Sequence, residues 1–223
     1  MEWQIKRFDE LKSTNETAMS FPVHTVIIAA RQTKGRGRYG RCWESPTGNL
    51  YLSAVVDDFG DRTPLLAFLA GVSVAEALAD FKVRLKWPND VLLNGGKVAG
   101  ILLERTDKNS VIIGIGINVA TAPTQNKLYQ TASLNNGITL PDLEKRLLKT
   151  LQENLGFFQN NHYDLILEKW LNYAEGIGQN IQVHLANQTL TGLFKKLSPQ
   201  GELILETPDK IIHKISAGDV FLI

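Results

Sequence analysis

Apolar and polar positions alternate with a period of two over WQIKRF (3–8), which predicts a short strand with one face in a core. VHTVIIAARQ (23–32) and GNLYLSAVV (48–56) are nearly continuous apolar runs and predict buried strands. Between the first two, LKSTNETAMSF places Ser13 and Glu16 at capping-box spacing, a helix start. PLLAFLAGVSVAEALAD (64–80) predicts a helix with Pro64 near its first turn. From 82 to 119 the pattern predicts an antiparallel meander: KVRLKW, a Pro-Asn-Asp turn, VLL, an Asn-Gly-Gly turn, KVAGILLE, a TDKN turn and SVIIGIGINV. Residues 120–137 are polar and irregular, so a surface loop is expected there, and helices are expected from 141 and from 163. After Gly176 and Gly178 five short strands follow within about 45 residues, the pattern of a small SH3-like barrel. The expected fold class is therefore α+β. A mixed, largely antiparallel sheet with helices packed on it fills residues 1–176, and a small C-terminal SH3-like β-barrel fills 177–223.

Composition narrows the function classes. At 223 residues and 43% hydrophobic, the chain can bury one good core plus a small satellite. Lys+Arg of 24 against Asp+Glu of 23 leaves a net charge of +1, which argues against a coat for nucleic acid. One cysteine, Cys42, excludes an intrachain disulfide or a cysteine-rich metal framework, and the four histidines lie far apart. The N-terminus has no apolar run, and no window approaches the roughly 20 apolar residues that span a bilayer, so a cytoplasmic protein without membrane attachment is expected.

The positive charge is local. RQTKGRGRYGRCWESP (31–46) puts Arg31, Lys34, Arg36, Arg38 and Arg41 into eleven positions with Gly35, Gly37 and Gly40 interleaved. Glycines let backbone N–H groups approach an anion, and arginine forks match phosphate oxygens. Without a ligand, five like charges on such a segment are expected to repel. No GxxxxGK[ST] exists and no GxGxxG opens a helix after a strand, so the common nucleotide folds are disfavoured. The competing reading is a solvated loop.

Four further stretches carry candidate chemistry. KWPND (86–90) would gather Lys86, Asn89 and Asp90 at a strand end, where a carboxylate and an amide oxygen suit Mg²⁺ accompanied by phosphates. On local evidence alone an ordinary Pro-Asn-Asp turn is the better reading. In GKVAGIL (96–102), Lys97 follows a glycine turn and taken alone reads first as a hairpin-edge lysine in water, while Gly100 interrupts an apolar strand, a mark of close approach by ligand or backbone. In VIIGIGINV (111–119), Gly114, Gly116 and Asn118 share one face and Ile113, Ile115 and Ile117 the other, leaving a shallow floor for a flat molecule or for tight helix packing. Ser13-Thr14-Asn15 reads first as a helix cap, and such an end also donates to a polar ligand head.

Each stretch alone is weak; their order is not. STN, QTKGRGRYGRCWESP, KWPND, GKVAGIL and GIGIN, closed by a small barrel, strongly resemble the biotin protein ligases over nearly the whole chain, with no departure at a position expected to do chemistry. The resemblance implies the class II synthetase-like, biotin/lipoate-ligase-like fold, in a short form lacking an N-terminal DNA-binding winged helix. It implies that Ser13, Thr14, Asn15 and Gln32 meet the biotin ring and ureido head. Gly35, Arg36, Gly37 and Arg38 would cover the biotin carboxylate and the adenylate phosphate. Arg41 would reach the pyrophosphate, and Trp43 would support the loop base. Asn89 and Asp90 would sit near phosphates and Mg²⁺. Lys97 would contact the carboxylate and α-phosphate. Gly100, Gly114 and Ile117 would line the biotin pocket, with Asn118 toward the nucleotide. Arg36, Arg38, Lys97 and Asp90 are the implied catalytic set. Biotin and ATP are the implied substrates, Mg²⁺ the cofactor, and biotin carboxyl carrier protein of acetyl-CoA carboxylase the partner. A homodimer is compatible with the family, and DNA is not an expected partner.

Two other classes fit the sequence less well. Lipoate or octanoate ligases resemble the chain around the Asn-Asp turn but carry an Arg-Arg…Gly-Gly-Gly stretch absent here. A nucleic-acid module would stack bases on aromatics beside the arginines, where only Tyr39 and Trp43 qualify.

Overall fold

The structure, a computed structural model, describes residues 2–123 and 130–223, so the centre of the expected 120–137 loop lies outside the described residues. Seven strands form the main sheet: β1 (Gln4–Leu11), β2 (Thr25–Gln32), β3 (Leu50–Asp57), β4 (Arg84–Lys86), β5 (Asp90–Leu93), β6 (Gly96–Arg105) and β7 (Ser110–Ile117). Their order is β1-β2-β3-β7-β6-β5-β4. β1 and β2 run parallel and every other neighbour is antiparallel. The sheet is thus mixed and largely antiparallel, as the strand pattern predicts.

The alternation of side chains assigns the two faces. Val26, Ile28, Leu52, Ala54, Ile113 and Ile115 point into the main core, and Ile27, Val55 and Ile112 into a smaller cluster on the opposite face. Against the first face lies α2 (Leu66–Ala77), apolar nearly all round and buried nearly all round, as such a sequence requires. α3 (Leu140–Gln159) closes over it with Leu143, Leu147, Leu151, Leu155 and Phe158 at helical spacing, and α4 (Tyr163–Tyr173) adds Ile166 and Trp170. Against the second face, the one helix among the described residues is the short α1 (Thr14–Ala18), packed on β2, β3 and β7. The rest of that face is left for the site.

Five antiparallel strands make the separate C-terminal sheet: β8 (Asn180–His184), β9 (Thr189–Leu197), β10 (Leu203–Glu206), β11 (Ile212–Ile215) and β12 (Asp219–Leu222), in the order β11-β10-β9-β8-β12. It is docked onto the β4–β5 end of the main sheet by specific groups. The Trp87 Nε1 donates to the Gly201 carbonyl at 3.0 Å, and Lys86 Nζ donates to the Val220 carbonyl at 3.3 Å. Gly201 sits so close to Phe68 and Leu65 that a Cβ there would come within 2.7 Å and 2.9 Å of them. Its φ of +79° independently favours glycine.

Candidate active site

At the floor of the open face, the sequence STN is both cap and wall. Ser13 Oγ accepts from the Glu16 N–H at 3.4 Å and starts α1, which leaves Thr14 and Asn15 buried against the sheet. The Thr14 N–H and hydroxyl both donate to Gln32 Oε1, at 2.7 and 3.1 Å. Gln32 Nε2 in turn donates to Ser45 Oγ at 2.9 Å. Asn15 Oδ1 lies 2.5 Å from the buried Ser53 hydroxyl, and its Nδ2 donates to Glu104 Oε2 at 2.6 Å. Asn15 fits only because Gly114 lies beneath it: a Cβ there would be 2.2 Å from Oδ1. The next glycine along the same face, Gly116, similarly seats the Trp43 indole, whose Nε1 would be 2.5 Å from an added Cβ. The glycine floor foreseen in β7 therefore exists, but Asn15 and Trp43 already rest on it.

Above the floor runs the glycine-arginine loop. A bridge between Arg36 and Cys42, the Gly37 N–H donated to the Arg41 carbonyl at 2.7 Å and a short 3₁₀ turn at Arg38–Gly40 fold it back on itself. Its downstream end is pinned by the Tyr51 hydroxyl donating to the Pro46 carbonyl at 2.7 Å. Burial pushes that phenol up to about 12, so it remains a donor at neutral pH. The expected repulsion among arginines is relieved by an acceptor for each of the three at the site. Arg36 Nη2 pairs with Glu104 Oε2 at 3.3 Å, and Arg38 Nη1 donates to Asn89 Oδ1 at 3.0 Å. Arg41 engages both carboxylate oxygens of Asp219, at 3.3 and 2.5 Å.

KWPND and GKVAGIL meet through the β5–β6 pairing. Lys97 Nζ lies 2.6 Å from Asp90 Oδ1 and 5.4 Å from the centre of the Trp43 ring, while Lys86 Nζ lies 3.6 Å from Asp90 Oδ2. All three side chains are nearly buried, at 11–14% exposure, so this is a desolvated pair rather than a surface contact. Asn89 spends its amide N–H on the Ile101 carbonyl at 2.7 Å. These donors do not fit a resident Mg²⁺. Both Asp90 oxygens face ammonium groups, Asn89 Oδ1 faces a guanidinium, and no three His, Cys, Asp or Glu side chains converge among the described residues.

One pocket gathers these groups. Of the residues singled out from the sequence, Ser13, Thr14, Asn15, Gln32, Arg36, Gly37, Arg38, Arg41, Trp43, Asn89, Asp90, Lys97, Gly100 and Gly114 all line it. Gly35, Ile117 and Asn118 do not. Gly35 is buried under the loop, where a Cβ would meet the Trp43 carbonyl at 2.3 Å. Ile117 faces the helix side of the sheet, in the main core. Asn118 falls just past the end of β7 and is buried, donating to the Ala132 carbonyl at 3.1 Å. It holds the segment beyond β7 in place without reaching the pocket. Sequence reasoning missed Asp219 and Phe221, which enter the pocket from β12. Lys86, expected beside Asn89 and Asp90 at the strand end, also lines it. The walls thus carry five cationic side chains, Arg36, Arg38, Arg41, Lys86 and Lys97, against two carboxylates, Asp90 and Asp219, a field suited to a polyanion.

Comparison with known proteins identifies the family. The model of the biotin/lipoate A/B protein ligase family matches residues 8–119, and that of the biotin protein ligase C terminal domain matches 176–223. The bifunctional ligase/repressor BirA of Bacillus subtilis is 34% identical over 96% of this chain and 72% of its own. The biotin–[acetyl-CoA-carboxylase] ligase of Mycobacterium tuberculosis is 34% identical over 87% of this chain and 77% of its own. Among solved structures, the biotin protein ligase from Aquifex aeolicus in complex with biotin and ATP superposes with a TM-score of 0.85 at 30% identity, covering 99% of this chain and 98% of that one. Matched family models at both ends, relatives at this identity and a shared fold over the whole length place the chain among the biotin protein ligases of the biotin/lipoate A/B protein ligase family, and it is a ligase enzyme.

Proposed function

We propose that this chain attaches biotin to a lysine of biotin carboxyl carrier protein in two ATP-dependent steps. The observation that carries this reading is the single pocket in which the Ser13–Asn15 wall, the arginine loop and the Lys97–Asp90 pair converge. Residues 1–176 form the catalytic unit, and 177–223 the C-terminal unit that contributes Asp219 and Phe221.

In the first step a carboxylate oxygen of biotin attacks the α-phosphorus of ATP. The bond to the β-phosphate oxygen breaks, and pyrophosphate leaves with its electrons. The product is biotinyl-5′-adenylate. Thr14, Asn15 and Gln32 present a fixed donor and acceptor array to the ureido head. Lys97, Arg36 and Arg38 bear on the carboxylate and the α-phosphate, and Arg41 on the departing pyrophosphate. ATP arrives as its magnesium complex, the metal travelling with the phosphates. In the second step the carrier lysine, as its neutral amine, attacks the acyl carbon, the acyl carbon–oxygen bond to AMP breaks with its electrons going to the AMP phosphate, and the extra proton on nitrogen passes to solvent. Neither step needs an enzyme nucleophile; positioning and preorganised charge are the chemistry. Asp90, held by two lysines, supports an orienting role: it fixes Lys97 and Lys86 in place.

Incubation with ATP, Mg²⁺, biotin and a biotin carboxyl carrier domain tests the reading. Avidin-detectable label on the carrier and biotin-dependent pyrophosphate exchange are expected; absence of both overturns it.

A further inference from the structure

Glu104 lies on β6, two positions beyond the pocket-lining Leu102 and just past the GKVAGIL stretch. One of its oxygens, Oε2, takes two donors at once: Asn15 Nδ2 at 2.6 Å from the pocket floor, and Arg36 Nη2 at 3.3 Å from the loop above. Its side chain is 22% exposed, so both bonds are made in a partly desolvated setting. Asn15 is buried, and an isolated carboxamide can be turned either way round. Its other neighbour, the Ser53 hydroxyl at 2.5 Å, has one proton and two oxygens competing for it, Asn15 Oδ1 and Thr14 Oγ1, so it does not fix the carboxamide by itself. An ionised carboxylate only accepts, so it alone dictates that Nδ2 faces β6 and Oδ1 faces Ser53.

We infer that Glu104 is a positioning residue that sets the handedness of the Asn15 carboxamide and, through the same oxygen, docks Arg36, so that the floor and the cover of the pocket are joined at one atom. Hydrogen bonds continue from Asn15 through Ser53 to Thr14, Gln32 and Ser45, and Ser45 Oγ donates to the Trp43 carbonyl at 2.9 Å. The chain therefore meets the loop at both ends, at Arg36 and at Trp43. A head group that exchanges a donor and an acceptor with a fixed carboxamide is recognised by this arrangement, and one that carries neither is not. The inference rests on the reading that the head group is the ureido ring of biotin.

Glu104→Gln tests it, because glutamine keeps the length and one acceptor but also offers a donor, which permits the reversed Asn15. Biotin-dependent pyrophosphate exchange is measured with biotin and ATP varied separately, for the wild type, Glu104→Gln, Asn15→Ala and the double variant. Loop cleavage by trypsin with and without biotin is followed alongside. The half-saturating biotin concentration is expected to rise about tenfold in Glu104→Gln, the equivalent of one charge-assisted bond, with that for ATP within about twofold and Tm unchanged. In the Asn15→Ala background the Glu104 substitution is expected to raise the biotin requirement by less than it does in the wild type, since only the Arg36 contact is left for it to remove. Biotin is expected to slow tryptic cleavage at Arg36 in the wild type and no longer in Glu104→Gln. An unchanged biotin requirement, additive single effects, or retained protection in Glu104→Gln overturns the inference alone. A wild type without biotin-dependent exchange overturns the functional reading, and this inference with it.

Discussion

Gly114 shows how narrowly the site is set at the scale of a residue. A methyl group there would collide with all three polar-end atoms of Asn15, at 2.2 to 2.8 Å, and the asparagine must turn away. Gly114→Ala is therefore expected to raise the half-saturating biotin concentration about tenfold or more, read by pyrophosphate exchange, with a small change in Tm. Gly192→Ala provides the contrast: its methyl would meet the Glu206 carbonyl oxygen at 2.4 Å in the C-terminal sheet, so it should lower Tm and spare biotin affinity. Lys97→Ala strips Asp90 of its closer partner and the site of a buried cation. A fall in kcat of about 10²–10³ is expected in single-turnover adenylation. Much of this scale is legible in sequence, because a strand glycine, a cap or a lysine after a turn carries its meaning within a few residues. Ile117 is the instructive exception. The alternation in β7 already puts it opposite Gly116, in the core, and only the family resemblance drew it toward the ligand. Where strand period and analogy disagree, the period decides.

At the scale of elements, the loop at 35–43 is not merely a charged flap. Each of its three site-facing arginines is held by a different element: Arg36 by β6, Arg38 by the turn before β5, and Arg41 by β12. Arg38→Ala releases the contact to Asn89 and is expected to let the activated intermediate escape. Labelling of an unrelated lysine-rich protein, detected with avidin, should rise severalfold over the wild type; unchanged bystander labelling contradicts the cover role. The strands, the helices and the long meander follow from period and turn residues, so the elements were readable from the chain. The acceptors that spread the arginines apart were not. Glu104, Asn89 and Asp219 lie 68, 51 and 178 positions away from their partners, and nothing local announces such a pairing.

For the whole molecule, the seam between the two sheets matters most. The C-terminal unit is visible in sequence as a change of texture, but its approach to the pocket is a product of docking. Trp87→Phe removes the donor to the Gly201 carbonyl at the centre of that seam. It should cost about 1–3 kcal/mol of stability in urea unfolding, the penalty for an unsatisfied buried acceptor. Asp219 adds a pH dependence. Burial acts to raise its carboxyl, but the hydrogen bond and charge of Arg41, with Arg38 and Lys86 behind, outweigh this and hold it below the usual carboxylate range. A folded-state value below the unfolded one means that the stabilisation is complete above the unfolded value and is lost as pH falls through the folded one. The tie is thus intact at neutral pH and is lost only in acid, as pH falls below the usual carboxylate range and through the lowered folded-state value. Since a third of the side chain is exposed, its worth is at most about 1 kcal/mol. The Tm difference between wild type and Asp219→Asn should accordingly be small at pH 7 and shrink toward zero as the pH is taken down below the usual carboxylate range.

Cys42 gives the molecule a practical property. It is the only thiol in the sequence, it is exposed, and it stands in the pocket wall between Arg41 and Trp43. A maleimide fluorophore will attach there at one per chain with no cysteine to remove elsewhere. The native sequence is in this way already an optical reporter, its dye mounted on the cover itself, and binding of each substrate can be timed by stopped flow without altering a single residue.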